Sequence, residues 1–244
     1  MLEVKNITGG YINIPVVKDV SFTVESGQLV GLIGLNGAGK STTIKEIIGL
    51  LTPYQGEILI DGKSLVQDAE NYRKKIGFIP ETPSLYEELT LKEHLEVVAL
   101  AYDLTWDQAW SRVQGLLAVF RLDEKLDWCP VHFSKGIKQK VMIICAFMVE
   151  PSLLIVDEPF LGLDPVAISD LVNLLEEEKA KGTSILMSTH VLDSAEKMCD
   201  SFVILHQGQV RATGNLEELQ HAFNMKGASL NEIYLALTQE GVAR

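Results

Sequence analysis

The sequence predicts an α/β fold organised around a parallel sheet. Short apolar segments at 29–33, 153–156 and 184–187 have the length and composition of buried strands. Segments with helical spacing of apolar residues separate the strands, an alternation typical of parallel sheets with helical crossovers. A glycine-rich stretch directly follows the first of these strands. With 244 residues, 47% of them hydrophobic, the chain is long enough to bury the core of such a fold.

The N-terminal part of the chain is predicted to be mostly β-structure. Its candidate strands are rich in β-branched or alternating apolar residues and are bounded by Gly, Pro or Asp. One helix is expected among them, from Lys40 to Leu51, and it is closed by Thr52 and Pro53. The expected strands are 2–7, 16–24, 29–33, 57–60 and 76–79.

The segment from about Thr90 to Val149 has a different character. Strand signals are missing and apolar residues recur at helical spacing, which predicts helices inserted between two strands of the sheet. Strands and helices alternate again after this insertion. The expected elements are strands at 153–156, 184–187 and 202–205 and helices at 165–181, 191–199, 215–223 and 230–237.

Composition narrows the range of partners. The formal net charge of −12, from 21 basic and 33 acidic residues, argues against a nucleic-acid surface and against adsorption to anionic lipid. The three cysteines, Cys129, Cys145 and Cys199, have no metal-binding spacing and indicate a reducing compartment. The longest apolar stretch, 141–149, is too short to span a bilayer, so any membrane role is expected to come from a partner.

The stretch from Gly34 to Thr42 matches the phosphate-loop pattern G-x-x-x-x-G-K-[ST]. It follows a strand and opens a helix, which is the context that a triphosphate site requires. Glycines let successive backbone N–H groups turn toward phosphate, Lys40 would reach the β- and γ-phosphates, and Ser41 would bind Mg²⁺. The predicted nucleotide-binding residues of this loop are Gly34, Asn36, Gly37, Ala38, Gly39, Lys40, Ser41 and Thr42.

Two carboxylates, Asp157 and Glu158, follow the apolar strand 153–156. The carboxyl end of a parallel strand is where such sheets bind their ligands. Asp157 would hold Mg²⁺ through its water shell, and Glu158 would polarise the water that attacks the γ-phosphate. The alternative is a solvated acidic pair at a strand end, and the phosphate loop earlier in the chain favours the catalytic interpretation.

A second anion site is predicted at Ser134. Ser134 is a good helix N-cap, Gly136 lies beside it, and a strongly apolar helical run follows. The chain therefore has two helix starts suited to phosphate but one complete phosphate loop.

In the order of its motifs the sequence resembles the ATP-binding subunit of ABC transporters along nearly its full length. The matching segments are Gly34–Thr42 (Walker A), Phe133–Ile137 (signature), Leu153–Glu158 (Walker B), Leu161–Asp164 (D-loop), Ser188–His190 (switch histidine), Ile76–Glu81 (the loop that opens the helical insertion) and Tyr11 (adenine stacking). Each segment is moderately specific, and their common order is very specific.

The resemblance implies a P-loop NTPase (RecA-like) core with an N-terminal antiparallel β subdomain and an α-helical subdomain insertion. Residues 1–244 would form one nucleotide-binding domain. Its parts would be the ATP-binding core at 1–81 and 150–214, the helical insertion with the signature at 82–149, and C-terminal helices at 215–244.

The resemblance also implies an ATPase that works as a head-to-tail dimer at the cytoplasmic face of the cell membrane, bound to a transmembrane permease. One subunit's phosphate loop and the other's signature, with Ser134, Gly136 and Asp164, would enclose each ATP. Lys40, Glu158 and His190 would carry out hydrolysis. Whether the dimer pairs two copies of this chain or this chain with a different ATPase stays open.

Departures from the family pattern are informative. Glu81 replaces the usual glutamine and, as a carboxylate, is expected to join Ser41 and Asp157 as a Mg²⁺ ligand.

The signature also departs from the family pattern: Lys135 replaces one of its glycines, whereas Ser134 and Gly136 are retained. Residues 79–90 and the Phe-Ser-Lys-Gly form of the signature resemble bacterial exporter ATPases, most of all those of the Ecs and multidrug type.

Two alternatives remain at this point. One is a soluble ABC ATPase of a non-transport assembly, such as iron–sulfur cluster biogenesis, with a scaffold protein as partner. The other is a module that closes on ATP and hydrolyses it poorly, against which Glu158 and His190 count.

Overall fold

The computed structural model describes residues 1–240, which form two β-sheets and nine α-helices. The strands are β1 (Leu2–Tyr11), β2 (Ile14–Val24), β3 (Leu29–Ile33), β4 (Gln55–Ile60), β5 (Lys63–Ser64), β6 (Ile76–Ile79), β7 (Leu153–Asp157), β8 (Ser184–Thr189), β9 (Ser201–His206) and β10 (Gln209–Gly214). The helices are α1 (Lys40–Ile47), α2 (Ala69–Lys74), α3 (Leu91–Ala101), α4 (Trp106–Phe120), α5 (Lys135–Met148), α6 (Pro165–Ala180), α7 (Leu192–Met198), α8 (Leu216–Ala222) and α9 (Leu230–Glu240).

The larger sheet has six strands in the order β10-β9-β3-β8-β7-β6. β6, β7, β8, β3 and β9 pair in parallel, and β10 pairs antiparallel with β9 at one edge. Every residue of β3, β7 and β8 is buried, as expected for strands with helices over both faces. The carboxyl ends of these three strands therefore lie side by side at one edge of the sheet.

The smaller sheet is antiparallel, in the order β2-β1-β4-β5. β1 is its centre, because Leu2 pairs with Val24 on one side and with Ile60 on the other. The apolar faces of this sheet and of α1 share one buried cluster with β3 and β7. Packing of the two sheets thus places the end of β1 close to the helix that follows β3.

The segment between β6 and β7, all of which the structure describes, contains α3, α4, α5 and two short 3₁₀ helices. Thr90 and Thr105 form capping boxes at the starts of α3 and α4, and Ser134 caps α5. The apolar faces of the three helices share a buried cluster with α6 and with one face of the larger sheet. α5 is the helix of this group that packs on β6.

The predicted strands at 29–33 and 76–79 are observed with the same bounds. The helix predicted from Lys40 to Leu51 is shorter and ends at Ile47, because Gly49 adopts a φ of 75° that stops the helix. The apolar spacing continues through Leu50, which is exposed. β5, α2 and β10 were not predicted, and of the segment predicted to end the chain, residues 241–244 lie outside the described part.

Candidate active site

The glycine-rich loop 34–42 connects β3 to α1, as predicted. Gly39 precedes the helix with a φ of 110°, and a Cβ there would lie 2.7 Å from a methyl carbon of Val17. At Gly34 a Cβ would come within 2.5 Å of the Leu205 carbonyl oxygen. Larger residues at these two positions would displace the loop, so both require glycine for steric reasons and Gly39 requires it for its backbone torsion as well.

The loop borders a cleft of about 160 Å³. No side chain caps the start of α1, so its first backbone N–H groups and the positive end of the helix are available to an anion. Ser41 is exposed on this first turn, beside the cleft. The residues that line the cleft are Val16, Leu35, Asn36, Gly37, Gly39, Lys40, Ser41 and Thr42.

Lys40 is only 7% exposed, and its ammonium group is held inside the loop. Nζ donates a hydrogen bond to the Gly34 carbonyl at 2.7 Å and lies 3.9 Å from Oε1 of Glu158. Burial lowers the pKa of Lys40 because it disfavours the ammonium form. The carboxylates of Glu158, Asp157 and Glu81 act in the opposite direction on this pKa. Lys40 is thus the cation among three acidic side chains.

Asp157 is the last residue of β7 and pairs in register with Ser188 of β8. The Ser188 hydroxyl donates a hydrogen bond to its carboxylate. Burial raises the pKa of Asp157, while this hydrogen bond opposes the shift. Among nearby charges, Glu81 and Glu158 raise the pKa further and Lys40 lowers it. A cation bound beside Asp157 would therefore favour the ionised form of its carboxylate.

Glu158 follows β7 with a φ of 47°, in the left-handed region that a non-glycine residue rarely adopts. Its backbone N–H donates to the Ser188 carbonyl at 3.1 Å. The carboxylate accepts a hydrogen bond from the Thr189 hydroxyl at 3.2 Å, and its other oxygen lies 2.8 Å from Nδ1 of His190. β7 and β8 therefore bring Glu158 and His190 together from distant parts of the sequence.

His190 has a partly open position, with 43% of its side chain exposed. Nδ1 is occupied by Glu158, so the far side of the ring is left to face a ligand. A glutamate oriented by a histidine and placed next to a phosphate loop can hold and deprotonate a water molecule.

Tyr11 ends β1 and is 42% exposed. Its hydroxyl accepts a hydrogen bond of 3.1 Å from Nζ of Lys45, which lies 5.6 Å from the centre of the ring. The tyrosine is therefore held against α1, the helix that begins at the phosphate loop. It does not belong to the residues that line the cleft at that loop.

The signature segment begins α5. Ser134 caps the helix through a hydrogen bond of 3.3 Å from the Ile137 N–H, and a Cβ on Gly136 would lie 2.5 Å from the Gly162 carbonyl oxygen. Asp164 caps α6 and also forms an ion pair of 3.0 Å with Lys140. The signature and the 161–164 loop are thus packed together as one surface of the chain.

Some residues that contact the candidate site were not identified from the sequence. Ser188 and Thr189 were noted only as neighbours of His190, yet their hydroxyls fix Asp157 and Glu158. Gln139, a buried residue of α5, donates a hydrogen bond of 3.0 Å to the Pro80 carbonyl next to Glu81. Only the pairing of β7 with β8 and the packing of α5 on β6 reveal these contacts.

A phosphate loop between a buried parallel strand and a helix, with two carboxylates ending a nearby strand, defines a P-loop nucleoside triphosphatase. Residues 17–161 match the family model described as ABC transporter. The chain belongs to this family, as an ATP-binding subunit with ATPase activity.

Curated relatives agree with this assignment. The chain is 58% identical to the ABC-type transporter ATP-binding protein EcsA of Bacillus subtilis (strain 168), over 98% of this chain and 97% of that protein. It is 36% identical to Nod factor export ATP-binding protein I of Rhizobium meliloti (strain 1021), over 87% of this chain and 64% of that protein.

Solved structures confirm the predicted fold class. One that is described as the ATP-binding subunit of an ABC transporter has a TM-score of 0.95 and 56% identity, over 98% of this chain and 99% of that chain. A dimeric post-hydrolysis structure of the ATP-binding cassette MJ0796, bound to ADP and Pi, has a TM-score of 0.78 and 26% identity, over 88% and 99% of the two chains. Among residues 1–240, no helix combines the length and apolarity needed to cross a bilayer.

Proposed function

We propose that this chain powers a membrane exporter by closing as a head-to-tail dimer on ATP and reopening after hydrolysis. One observation carries the hydrolytic part of the proposal. Oε1 of Glu158 lies 2.8 Å from Nδ1 of His190 and 3.9 Å from Nζ of Lys40. A base, a group that orients it and a phosphate-binding cation therefore lie together at the carboxyl ends of the strands.

In the nucleotide-binding step, the backbone N–H groups of residues 34–42 and the Lys40 ammonium hold the phosphates. The exposed ring of Tyr11 is available to stack on adenine from the end of β1. Its contact with Lys45 supports this role, because it fixes the ring relative to α1 and therefore relative to the phosphate loop.

In the hydrolytic step, Glu158 takes a proton from the attacking water as the water oxygen bonds to the γ-phosphorus. The bond between that phosphorus and the β–γ bridging oxygen breaks, which releases ADP and inorganic phosphate. His190 holds Glu158 through Nδ1 and contacts the γ-phosphate with the rest of its ring. The strained backbone of Glu158 favours this role, since outliers of this kind concentrate at functional sites.

The side chains around Lys40 are chemically suited to bind Mg²⁺. Burial is the main cause of the raised pKa of Asp157, the charges of Glu81 and Glu158 raise it further, and a divalent cation would offset both effects. Among the described residues no three His, Cys, Asp or Glu side chains converge as a metal cluster. We assign Ser41, Asp157 and Glu81 as ligands that would act together with phosphate and water oxygens, since Mg²⁺ prefers oxygen ligands. When bound, Mg²⁺ would neutralise charge that develops on the transferred phosphate.

The dimer accounts for the second anion site. Ser134 and Gly136, with Asp164 packed beside them, would close over the ATP on the partner's phosphate loop. The dimeric state of the ATP-binding cassette MJ0796 supports the formation of a dimer. We also retain, as a proposal, the division into a core of 1–81 and 150–214, a helical insertion of 82–149 and C-terminal helices of 215–244.

The transporter partner would be a transmembrane permease, which places this chain at the cytoplasmic face of the cell membrane. The names of the relatives support the exporter direction, since one of them is an export ATP-binding protein. The alternative of a soluble assembly ATPase gains no support from the relatives named above.

The test is a pull-down of the tagged chain from gently solubilised native membranes, with co-purifying proteins identified by mass spectrometry. We expect a polytopic membrane protein in fixed ratio to this chain. Recovery of soluble proteins alone, with the chain missing from the membrane fraction, would overturn the transporter proposal in favour of a soluble assembly.

A further inference from the structure

The side chain of Gln139 is fully buried and incompletely hydrogen-bonded. Its relative exposure is 0%, and Nε2 donates one hydrogen bond, of 3.0 Å, to the Pro80 carbonyl. Within residues 1–240 its Oε1 has no hydrogen-bond partner. Gln139 is the one polar residue among the buried residues of α5, all of whose residues are described. A buried acceptor without a partner lowers stability, so an apolar residue would serve packing better.

The Pro80 carbonyl is placed next to the catalytic edge of the sheet. β6 ends at Ile79, which pairs in register with Val156 of β7. Pro80 therefore lies level with Asp157, and Glu81 follows it. The charge of Glu81 raises the pKa of both Lys40 and Asp157, although burial is the larger influence on each. A contact that fixes Pro80 thus restricts where the Glu81 carboxylate can lie.

The same helix carries the signature. α5 begins at Lys135, is capped by Ser134, and is packed on the 161–164 loop through Gly136 and Lys140. Gln139 directly precedes Lys140, so the same end of α5 contacts both Pro80 and the 161–164 loop. A shift of the signature end of α5 would therefore move the group that holds Pro80.

We infer that Gln139 is a positioning residue that sets the place of the Glu81 carboxylate in the metal site through its hydrogen bond to Pro80, and so joins that site to the signature helix. The inference rests on the proposed role of Glu81 as a Mg²⁺ ligand. A side chain of purely structural value would be replaceable by an apolar one of equal size without effect on metal binding.

The test compares Gln139→Leu with Ile143→Val, a conservative change at another fully buried position of α5. ATP binding to the full chain is measured by calorimetry across a Mg²⁺ titration and again in EDTA. Loss of an outer-shell contact typically weakens metal binding 10- to 100-fold. We expect Gln139→Leu to raise the half-saturating Mg²⁺ concentration by about tenfold with metal-free ATP affinity unchanged, and Ile143→Val to alter neither.

A double-mutant cycle shows whether Gln139 acts through Glu81. Glu81→Ala alone should also raise the half-saturating Mg²⁺ concentration. Adding Gln139→Leu to Glu81→Ala should raise that concentration little further. Additive effects would overturn the inference while leaving the role of Glu81 intact. An unchanged Mg²⁺ requirement in Glu81→Ala would refute the proposed ligand itself, and the inference with it.

Hydrogen exchange of the backbone amides in residues 81–86 gives a second readout. Gln139→Leu should speed exchange there relative to Ile143→Val, and equal rates would contradict the inference. If Gln139→Leu fails to fold, Gln139→Met keeps a similar volume and an unbranched chain, and the same outcomes apply to it.

Discussion

At the residue scale, Lys40 is held in place by the phosphate loop itself. Its ammonium group is almost removed from water and donates a hydrogen bond to the Gly34 carbonyl. Binding a phosphate therefore requires little further loss of side-chain freedom, and the attraction is strong where water is scarce. This pre-organisation is a physical reason to expect Lys40 to contribute to ATP affinity as well as to hydrolysis.

We predict that Lys40→Ala loses ATP affinity. A charge-assisted hydrogen bond contributes about 1.5–3 kcal/mol, which corresponds to a dissociation constant roughly 10- to 100-fold higher. Calorimetric titration with ATP measures the change. Lys63→Ala, at a largely exposed lysine of β5, is the control for loss of one positive charge. An unchanged dissociation constant in Lys40→Ala would refute the phosphate-loop assignment.

Glu46, on the inner face of α1, is a carboxyl group buried without a partner. It is 2% exposed, and within residues 1–240 neither carboxyl oxygen has a hydrogen-bond partner. A Cβ on Gly9 would lie 1.6 Å from its Oε1, so glycine at that position of β1 makes room for it. Burial raises the pKa of Glu46 from 4.5 to about 7.

This raised pKa predicts a pH dependence of stability. The unfolded chain ionises Glu46 near pH 4.5 and the folded chain near pH 7, so the folded state loses stability as the pH rises between these values. Glu46→Gln removes the titration. Relative to the wild type, its free energy of unfolding should increase by about 2 kcal/mol between pH 5.5 and pH 8.

Urea denaturation of both proteins at the two pH values measures this difference. Glu46→Met, which also cannot ionise, should follow the pH trend of Glu46→Gln whatever its absolute stability. A constant difference between variant and wild type at both pH values would show that Glu46 is not the titrating group.

At the element scale, the β1–β2 hairpin contains an unfavourable turn residue. Its two central residues, Ile12 and Asn13, have φ values of 49° and 60°, as a two-residue type I′ turn requires. Asparagine adopts this region readily, but a β-branched residue does so at a cost. Ile12 is 94% exposed, so packing does little to offset the cost. The turn nevertheless holds Tyr11 at the end of β1.

We predict that Ile12→Asn stabilises the protein by roughly 1 kcal/mol, the cost of the left-handed conformation that it relieves. The thermal midpoint and urea midpoint should both rise. The matched control is Ile14→Asn, an exposed isoleucine two residues later in β2, which is not among the positive-φ residues. Ile14→Asn should not raise either midpoint. Equal stabilisation by both variants would contradict the explanation based on the backbone torsion of Ile12.

The elements missed in the sequence share a physical cause. β10 alternates exposed and half-buried residues, and its strand conformation depends on pairing with β9. α2 has six residues, too few to show a period. For α1, apolar residues continue past the true end at Ile47, whereas the backbone of Gly49 decides where the helix stops. Strongly apolar strands such as β3 and β6 were predictable because burial alone specifies them.

At the scale of the whole molecule, the chain has two surfaces that are proposed to bind opposite sides of an ATP molecule. One is the phosphate loop with Glu158 and His190, and the other is the signature end of α5 packed against the 161–164 loop. A head-to-tail dimer would use both surfaces twice. In the proposed cycle its closure would depend on the γ-phosphate, so blocking hydrolysis should hold the dimer closed.

We predict that Glu158→Gln binds ATP, hydrolyses it roughly 10²- to 10⁴-fold more slowly through loss of the general base, and accumulates as an ATP-bound dimer. Size-exclusion chromatography with light scattering, in ATP and Mg²⁺, measures the dimer, and phosphate release measures turnover. Asp170→Asn, a carboxylate-to-amide change in a surface ion pair of α6, should behave like the wild type. Wild-type turnover in Glu158→Gln would remove this glutamate from the mechanism.

The sequence by itself determined the family, the phosphate loop, the order of the strongly apolar strands along the chain and the residue types expected at the site. These follow from local patterns, because glycine torsions, helix caps and buried apolar runs are encoded by near neighbours. Only the tertiary structure decided how Asp157 and Glu158 are held by Ser188, Thr189 and His190. Pairing of β7 with β8 joins residues about thirty positions apart, and the burial that shifts the pKa values of Lys40 and Glu46 exists only once both sheets have packed.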